Sequence, residues 1–223
     1  MKFSLLFSFL TLPGSKISQL DTFREMDQLV PLAEELGYHA IHVSEHHFQK
    51  NGWSPIPLMV LAKAAGLEID DGIVVDEFAR SSCTDVYAAG DCTVHPSLIY
   101  DRRIRLESVQ NANDQGRVVA ANICGKQIAY DAVPWFWSDQ YDIKLQMVGL
   151  NAGYDEVVCR GDSSNHDGSG FALFYLKDSV LIAADCVSRP KEFVVAKHLV
   201  KNRVRLAATV LQDEAVEPAN FAT

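Results

Sequence analysis

The clearest chemistry in this sequence sits where the apolar run Val86-Tyr-Ala-Ala ends in Gly90 and Asp91. A strand over these residues would carry backbone up to a ligand. Gly90, with no Cβ, allows close approach, and Asp91 can accept a hydrogen bond from a ligand hydroxyl. A carboxylate repels a pyrophosphate, so the group selected is a polyol such as a ribitol chain. Further on, Leu106-Glu107-Ser108-Val109-Gln110-Asn111 opens a helix that runs through Val118, Val119 and Ala120 to Gly125. Its first turn offers free N–H groups and the positive end of the helix dipole, which favour an anionic ligand edge. Each signal also has a plain structural explanation. Gly-Asp pairs are common in turns, and Ser108 as an N-cap accounts for the helix start without any ligand.

Other strings in the chain carry less. In Trp135-Phe136-Trp137-Ser138-Asp139-Gln140 the two tryptophans alternate, so an extended segment points both to one face. That pattern suits plain core, or an aromatic wall that keeps water from a redox centre. His42-Val-Ser-Glu45-His46 spells HxxEH, but the zinc-peptidase motif needs both histidines on one helical face, and here they fall at a strand end. Gly168-Ser-Gly170 begins like a dinucleotide fingerprint, yet Leu173 stands where the third glycine belongs, and a hairpin loop explains it. The five cysteines are scattered with no CxxC pair, so neither a disulfide framework nor a metal site is indicated, and reduced thiols in a cytoplasmic setting are expected. The net charge of −9 argues against nucleic acid, and no apolar run approaches the ~20 residues of a membrane span. Lys2 with the apolar stretch Phe3 to Leu12, ahead of Gly14 and Ser15, has some features of a signal peptide. The helix and strand that follow favour a buried first strand instead.

The elements that must position these residues fall into three stretches: 1–61, 62–131 and 132–223. In the first, Phe3 to Phe9 is expected to be a parallel strand covered on both faces. Ser18 to Leu36 carries a helical apolar stripe that Pro31 should kink or split, with Gly37 as its C-cap. Tyr38 to Val43 is a second strand, giving an incomplete parallel βαβ unit. In the second stretch, Gly72 to Asp76 and Val86 to Asp91 are strands that precede the Ser108 helix. In the third, Leu145 to Leu150, Glu156 to Arg160, Phe171 to Leu176 and Val180 to Val187 alternate as strands of a small α+β domain. Ser188 is expected to cap a following helix with Pro190 in its first turn, and Asp213 to Thr223 to form a tail. Arg102, Arg103, Arg105, Lys191, Lys197, Lys201 and Arg203 can form a docking face for an acidic partner, although most such residues are simply solvated.

The succession Gly72-Ile-Val-Val-Asp76, Val86 to Cys92, Arg105-Leu-Glu107-Ser108-Val109-Gln-Asn111-Ala112, Gln115 and Pro134 to Gln140 resembles the putidaredoxin, rubredoxin and rhodocoxin reductase family. Gly153-Tyr-Asp155, Arg160-Gly161, Phe174-Tyr-Leu176 and Arg189-Pro190-x-Glu192-Phe193 extend the likeness to about the end of the chain. The resemblance implies the remnant of a doubly wound FAD-binding domain followed by the reductase C-terminal domain. It implies FAD and NAD(P)H as cofactors, hydride transfer to the flavin, and single-electron transfer to an iron–sulfur carrier of the ferredoxin or rubredoxin type. By the same resemblance Asp91 holds the FAD ribityl chain, Val109 contacts the isoalloxazine, Trp137 packs beside the flavin, and Glu107 meets the nicotinamide carboxamide. The helix start at Ser108 then faces the pyrimidine edge of the ring. Gly116 and Ser81-Ser82-Cys83 depart from the family's usual residues.

Residues 1–61 resemble instead the start of the bacterial luciferase-like flavin monooxygenases, which are TIM barrels. The likeness lies in the opening Met-Lys-Phe, in Glu34-Glu-Leu-Gly-Tyr38, and in Glu45-His-His-Phe48 followed by Gly52-Trp-Ser-Pro55. One and a half βα units cannot close a barrel. No GxGxxG sequence for a pyrophosphate occurs anywhere in the chain. The sequence therefore reads as a chimera joined near Leu61 to Leu67. Three functions stand open: a truncated FAD-dependent ferredoxin reductase, weak or inactive alone; an FMN-dependent monooxygenase; and a non-catalytic interaction module.

Overall fold

The computed structural model describes residues 2–7, 16–43, 57–164 and 168–222. The Glu45-His46-His47-Phe48 and Gly52 to Pro55 segments lie outside the described residues.

The chain opens with strand β1 (Ser4–Phe7), helix α1 (Gln19–Glu35) and strand β2 (Ala40–Val43), and the two strands pair in parallel from Ser4↔Ala40 to Phe7↔Val43. A capping box starts α1: the Ser18 hydroxyl accepts from the Asp21 N–H, while the Asp21 carboxylate accepts from the Ser18 N–H at 3.1 Å. Gly37, at φ +76°, ends it by letting the Tyr38 N–H reach back to the Ala33 carbonyl. Pro31 does not split this helix. It lies on the exposed side, so the Asp27 carbonyl that loses its partner is left where water can serve it. Nor is β1 covered on both faces. Phe3 is 61% and Leu6 70% exposed, because β2 is the strand's one neighbour among the described residues.

Helix α2 (Pro57–Ala64) leads into a small sheet in which β3 (Ile73–Val74) pairs parallel with β4 (Thr93–Ser97), and β4 pairs antiparallel with β5 (Arg102–Arg105). The strand expected over Val86 to Asp91 is not formed. Tyr87 makes a single bridge to Arg80, and Gly90-Asp91 is a turn leading into β4. Two features prevent the extended run. The Asp76 carboxylate takes the N–H groups of Phe78 and Arg80, curling the preceding loop, and Gly90 sits at φ +85°. Helix α3 (Val109–Ile123) follows, with Ser108 as its N-cap and Gly125 at φ +82° past its end.

The C-terminal part is a five-stranded antiparallel sheet in the order β6-β7-β10-β9-β8. Its strands are β6 (Trp135–Gln140), β7 (Ile143–Gly149), β8 (Glu156–Gly161), β9 (Phe171–Lys177) and β10 (Val180–Val187). Helix α4 (Pro190–Lys201) packs on β7 and β10, and the short α5 (Ala208–Gln212) packs on β8. Phe174, Leu176, Ala184, Cys186, Ala196, Val200 and Leu211 are fully buried between them. Ser188 is not the cap of α4. It turns the chain at φ +53° while its N–H bonds to the Lys144 carbonyl, so Arg189 becomes the capping position without a side-chain cap.

Residues 213–222 are not a loose tail. Phe221 is buried edge-on against Phe174 at 5.7 Å between ring centres. Arg160, itself buried on β8, donates to the carbonyls of Leu211, Asp213 and Val216 at 3.3, 2.7 and 2.8 Å. Incomplete α/β followed by a compact α+β domain is thus the observed architecture.

Candidate functional site

The start of α3 and the C-terminal sheet enclose a cavity of about 380 Å³, a volume within the usual ligand-pocket range. Arg102, Leu106, Glu107 and Ser108 form one wall. Pro134, Trp135, Phe136, Gly149 to Ala152 and Asp185 form the other. Of the residues singled out in the sequence, Glu107 and Ser108 therefore meet in one cavity. Val109, 55% exposed, stands at the first helical position beside it. Trp137 does not line the cavity. It stacks on Trp135 with ring centres 5.4 Å apart, so both rings share a face as their alternation implies, and Trp135 is the one that reaches the cavity.

Gly90 and Asp91 lie elsewhere on α3. A Cβ at Gly90 would touch that of Ala112 at 3.5 Å, so the turn rests directly on the helix. Asp91 is exposed, and its carboxylate has no hydrogen-bond partner among the described residues. A buried polar network ties the turn to the helix start. Gln115, fully buried, accepts the Gly90 N–H through Oε1 at 2.7 Å, and Thr93 Oγ1 lies 2.9 Å from the same oxygen. That fixes the amide orientation, so Gln115 Nε2 donates to His95 Nδ1 at 3.0 Å. The His95 ring meets Tyr130 edge-on at 5.0 Å. The Tyr130 hydroxyl donates to Asn111 Oδ1 at 2.9 Å, and Asn111 donates to the Leu106 carbonyl at 3.0 Å. The Asn111 N–H in turn bonds to the Ser108 hydroxyl at 3.1 Å.

This network was only partly legible. Ser108, Asn111 and Gln115 recur at three- and four-residue spacing, a buried polar stripe on an otherwise amphipathic helix. Nothing in the sequence marks His95 or Tyr130 as its other members.

Burial, with the positive charge of Arg103 adding to it, pushes the His95 pKa down to about 4. The neutral ring agrees with the geometry, since a protonated Nδ1 would face an amide donor. The unfolded chain binds this proton below about pH 6.5, whereas the folded chain binds it only near pH 4. Stability is therefore at its full value above about 6.5 and falls as pH drops toward 4. His95→Gln is expected to flatten that limb in urea denaturation followed from pH 7 to 4.

Glu107 already has a partner in Arg105, which also donates to the Asp71 carbonyl at 2.9 Å. Other cations of the expected docking face are likewise engaged. Arg103 donates to the Val75 carbonyl, Arg203 to that of Ile99, and Lys197 lies 4.6 Å over the Trp135 ring. All five cysteines are free thiols, and no cluster of metal-binding side chains occurs among the described residues. Among those residues no helix is long and apolar enough to cross a membrane.

Comparison with known proteins defines the class. The pyridine nucleotide-disulphide oxidoreductase family matches residues 50–116, and the reductase C-terminal family matches residues 135–221. Putidaredoxin reductase CamA of Pseudomonas putida is 45% identical over 161 residues, covering 72% of this chain and 37% of that protein. Rhodocoxin reductase of Rhodococcus erythropolis is 40% identical over 155 residues, covering 70% of this chain and 36% of its own length. Among solved structures, the covalent putidaredoxin reductase–putidaredoxin complex superposes with a TM-score of 0.69 at 33% identity, over 99% of this chain and 57% of that one.

The greater part of this chain is thus similar to reductases of the putidaredoxin and rhodocoxin type. It spans little more than a third of the length of the curated relatives it matches.

Proposed function

We propose that this chain carries the ring-and-ribityl half of an FAD site, belonging to an NAD(P)H-dependent reductase of an iron–sulfur electron carrier. One observation carries the reading: two buried hydrogen-bonded groups, around Gln115 and around Asn111, meet at the His95–Tyr130 ring contact and hold both the Gly90-Asp91 turn and the Ser108 helix start. A flavin needs both at once. Asp91, exposed and free of hydrogen bonds to the described residues, suits a ribityl hydroxyl. The first N–H groups of α3 suit the electron-rich edge of the ring. Trp135, with Trp137 stacked on it, supplies an aromatic wall that excludes water.

FAD, when bound, supplies the chemistry by accepting a hydride from NAD(P)H and releasing electrons singly. The chain's own residues hold and orient. Gly90 and Asp91 would take the ribityl chain, Ser108 and Val109 the ring edge, Trp135 backed by Trp137 its flank, and Glu107, held by Arg105, the nicotinamide side. The pyrophosphate has no cradle here, because no GxGxxG loop occurs in the sequence. Catalysis by the chain alone is therefore weak or absent.

In this reading residues 62–131 are the remainder of the FAD domain and 132–223 the reductase C-terminal domain, in a cytoplasmic protein. A luciferase-like fragment is assigned only to residues ahead of 50, because the pyridine nucleotide-disulphide oxidoreductase match already begins there. The luciferase-like origin rests on sequence likeness alone.

The test is flavin content. The purified chain is incubated with excess FAD, desalted, and its visible absorbance recorded. Retained flavin is expected; a colourless protein would leave the kinship as ancestry and favour a non-catalytic interaction module.

A further inference from the structure

The two walls of the cavity come from different parts of the chain, and one side chain joins them. Tyr100 lies in the turn between β4 and β5. Its hydroxyl accepts the Leu150 N–H at 2.7 Å and donates to the Ile182 carbonyl at 3.2 Å. Both partners belong to the C-terminal sheet region, at the end of β7 and within β10. Leu150 itself lines the cavity, as does Ala183, next to Ile182. On the other side, the strand that leaves the Tyr100 turn begins with Arg102, a wall residue, and runs directly into Glu107 and Ser108.

The junction is built for this hydroxyl. A Cβ at Gly149 would come within 2.9 Å of the Tyr100 oxygen and 2.2 Å of the Ile182 carbonyl, so the residue before Leu150 must be glycine, as its φ of +76° also requires. Burial pushes the Tyr100 phenol up to about 12, so the hydroxyl keeps the proton it donates across the physiological range.

We propose that Tyr100 is a positioning residue whose hydroxyl, clamped between Leu150 N–H and Ile182 C=O, latches the β4–β5 turn to the C-terminal sheet. The latch sets the separation across the cavity between the Glu107-Ser108 segment and the Trp135 wall. Its geometry stands on these contacts alone; its bearing on a flavin rests on the function proposed above. Tyr100 then acts through the walls and touches no reacting atom.

Tyr100→Phe keeps the ring and removes the latch, taking one hydrogen-bond partner from the Leu150 N–H and one from the Ile182 carbonyl. The experiment is amide NMR and hydrogen exchange on the full chain, wild type against Tyr100→Phe. Exchange at the Leu150 amide is expected to accelerate about tenfold or more. Amide shifts are expected to move at Glu107 to Val109 and at Trp135, while Phe174 to Leu176 in the core keep theirs. A merely local structural role would move Leu150 and Ile182 and leave the walls unmoved, and that result overturns the proposal. An unprotected Leu150 amide in the wild type does so as well.

Arg203→Ala provides a second variant, because Arg203 holds the same turn through the Ile99 carbonyl at 3.4 Å. If it shifts the walls as much as Tyr100→Phe does, general packing of the turn sets the spacing and the hydroxyl does not. With FAD present, Tyr100→Phe is expected to displace the flavin absorption bands without abolishing retention. A wild type that retains no FAD defeats the proposed function, while the amide measurements still decide the latch.

Discussion

Arg160→Ala is expected to destabilise the C-terminal domain by about 3–5 kcal/mol, enough to lower its urea midpoint sharply or prevent folding at 37 °C. Arg160 is 3% exposed and pairs through Nε with Glu192 at 3.2 Å, and Glu192 is 4% exposed. Truncation leaves that carboxylate buried with only the longer 3.5 Å contact to Arg189. It also strips a charged donor from three main-chain carbonyls and a cation from the face of Phe221, 5.2 Å away. The two costs can be separated. A buried ion pair replaced on both sides by apolar residues is often tolerated. Arg160→Met with Glu192→Leu should therefore recover the part due to the stranded charge. The segment from Asp213 to Val216 would stay untethered, with fast amide exchange against a folded sheet. Full recovery by the double variant would mean that the carbonyl bonds contribute little, and that Phe221 and Leu211 anchor the segment by burial alone.

The clamp also shows where sequence reading stops. Strands β9 and β10 were legible because Phe171, Leu173 and Tyr175, and then Val180, Ile182 and Ala184, alternate with period two. Helix α3 was legible from its Ser108 cap and closing glycine. The last eleven residues, in contrast, hold one aromatic and no periodic pattern, which locally reads as a tail. What orders them is a partner fifty-odd residues away in sequence, and no local rule can see such a contact. The Gly90-Asp91 segment failed in the opposite sense. Its apolar run promises a strand, but the Asp76 side chain upstream and the positive φ of Gly90 commit it to a turn. The turn is held on α3 all the same, by the Gly90 N–H on Gln115. The site was legible as single residues on each side. The cavity, with Asp185 in its wall, exists only once two parts of the chain are docked, and pairwise docking leaves no periodic trace.

Asp91→Ala is expected to abolish retention of FAD while leaving the fold unchanged. Asp91 is exposed, and among the described residues its carboxylate accepts no hydrogen bond, so removing it costs no contact that the fold uses. The turn is held through backbone, by the Gly90 N–H on Gln115 and the Gly90 carbonyl on the Thr93 N–H at 3.0 Å. Melting temperature and far-UV dichroism of the variant should match the wild type within error, since surface changes away from such features stay near ±0.5 kcal/mol. A hydrogen bond from a ligand hydroxyl to a carboxylate contributes about 1.5–3 kcal/mol, roughly ten- to a hundredfold in affinity. In a complete reductase a pyrophosphate cradle would partly mask that loss. Here the sequence contains no such cradle, so the same loss should take binding below what desalting retains. Asp91→Asn keeps the shape and a neutral acceptor, and is expected to fall between the two. Equal FAD retention by wild type, Asp91→Ala and Asp91→Asn would remove Asp91 from the site. Loss of retention together with a lowered melting temperature would instead make its role structural.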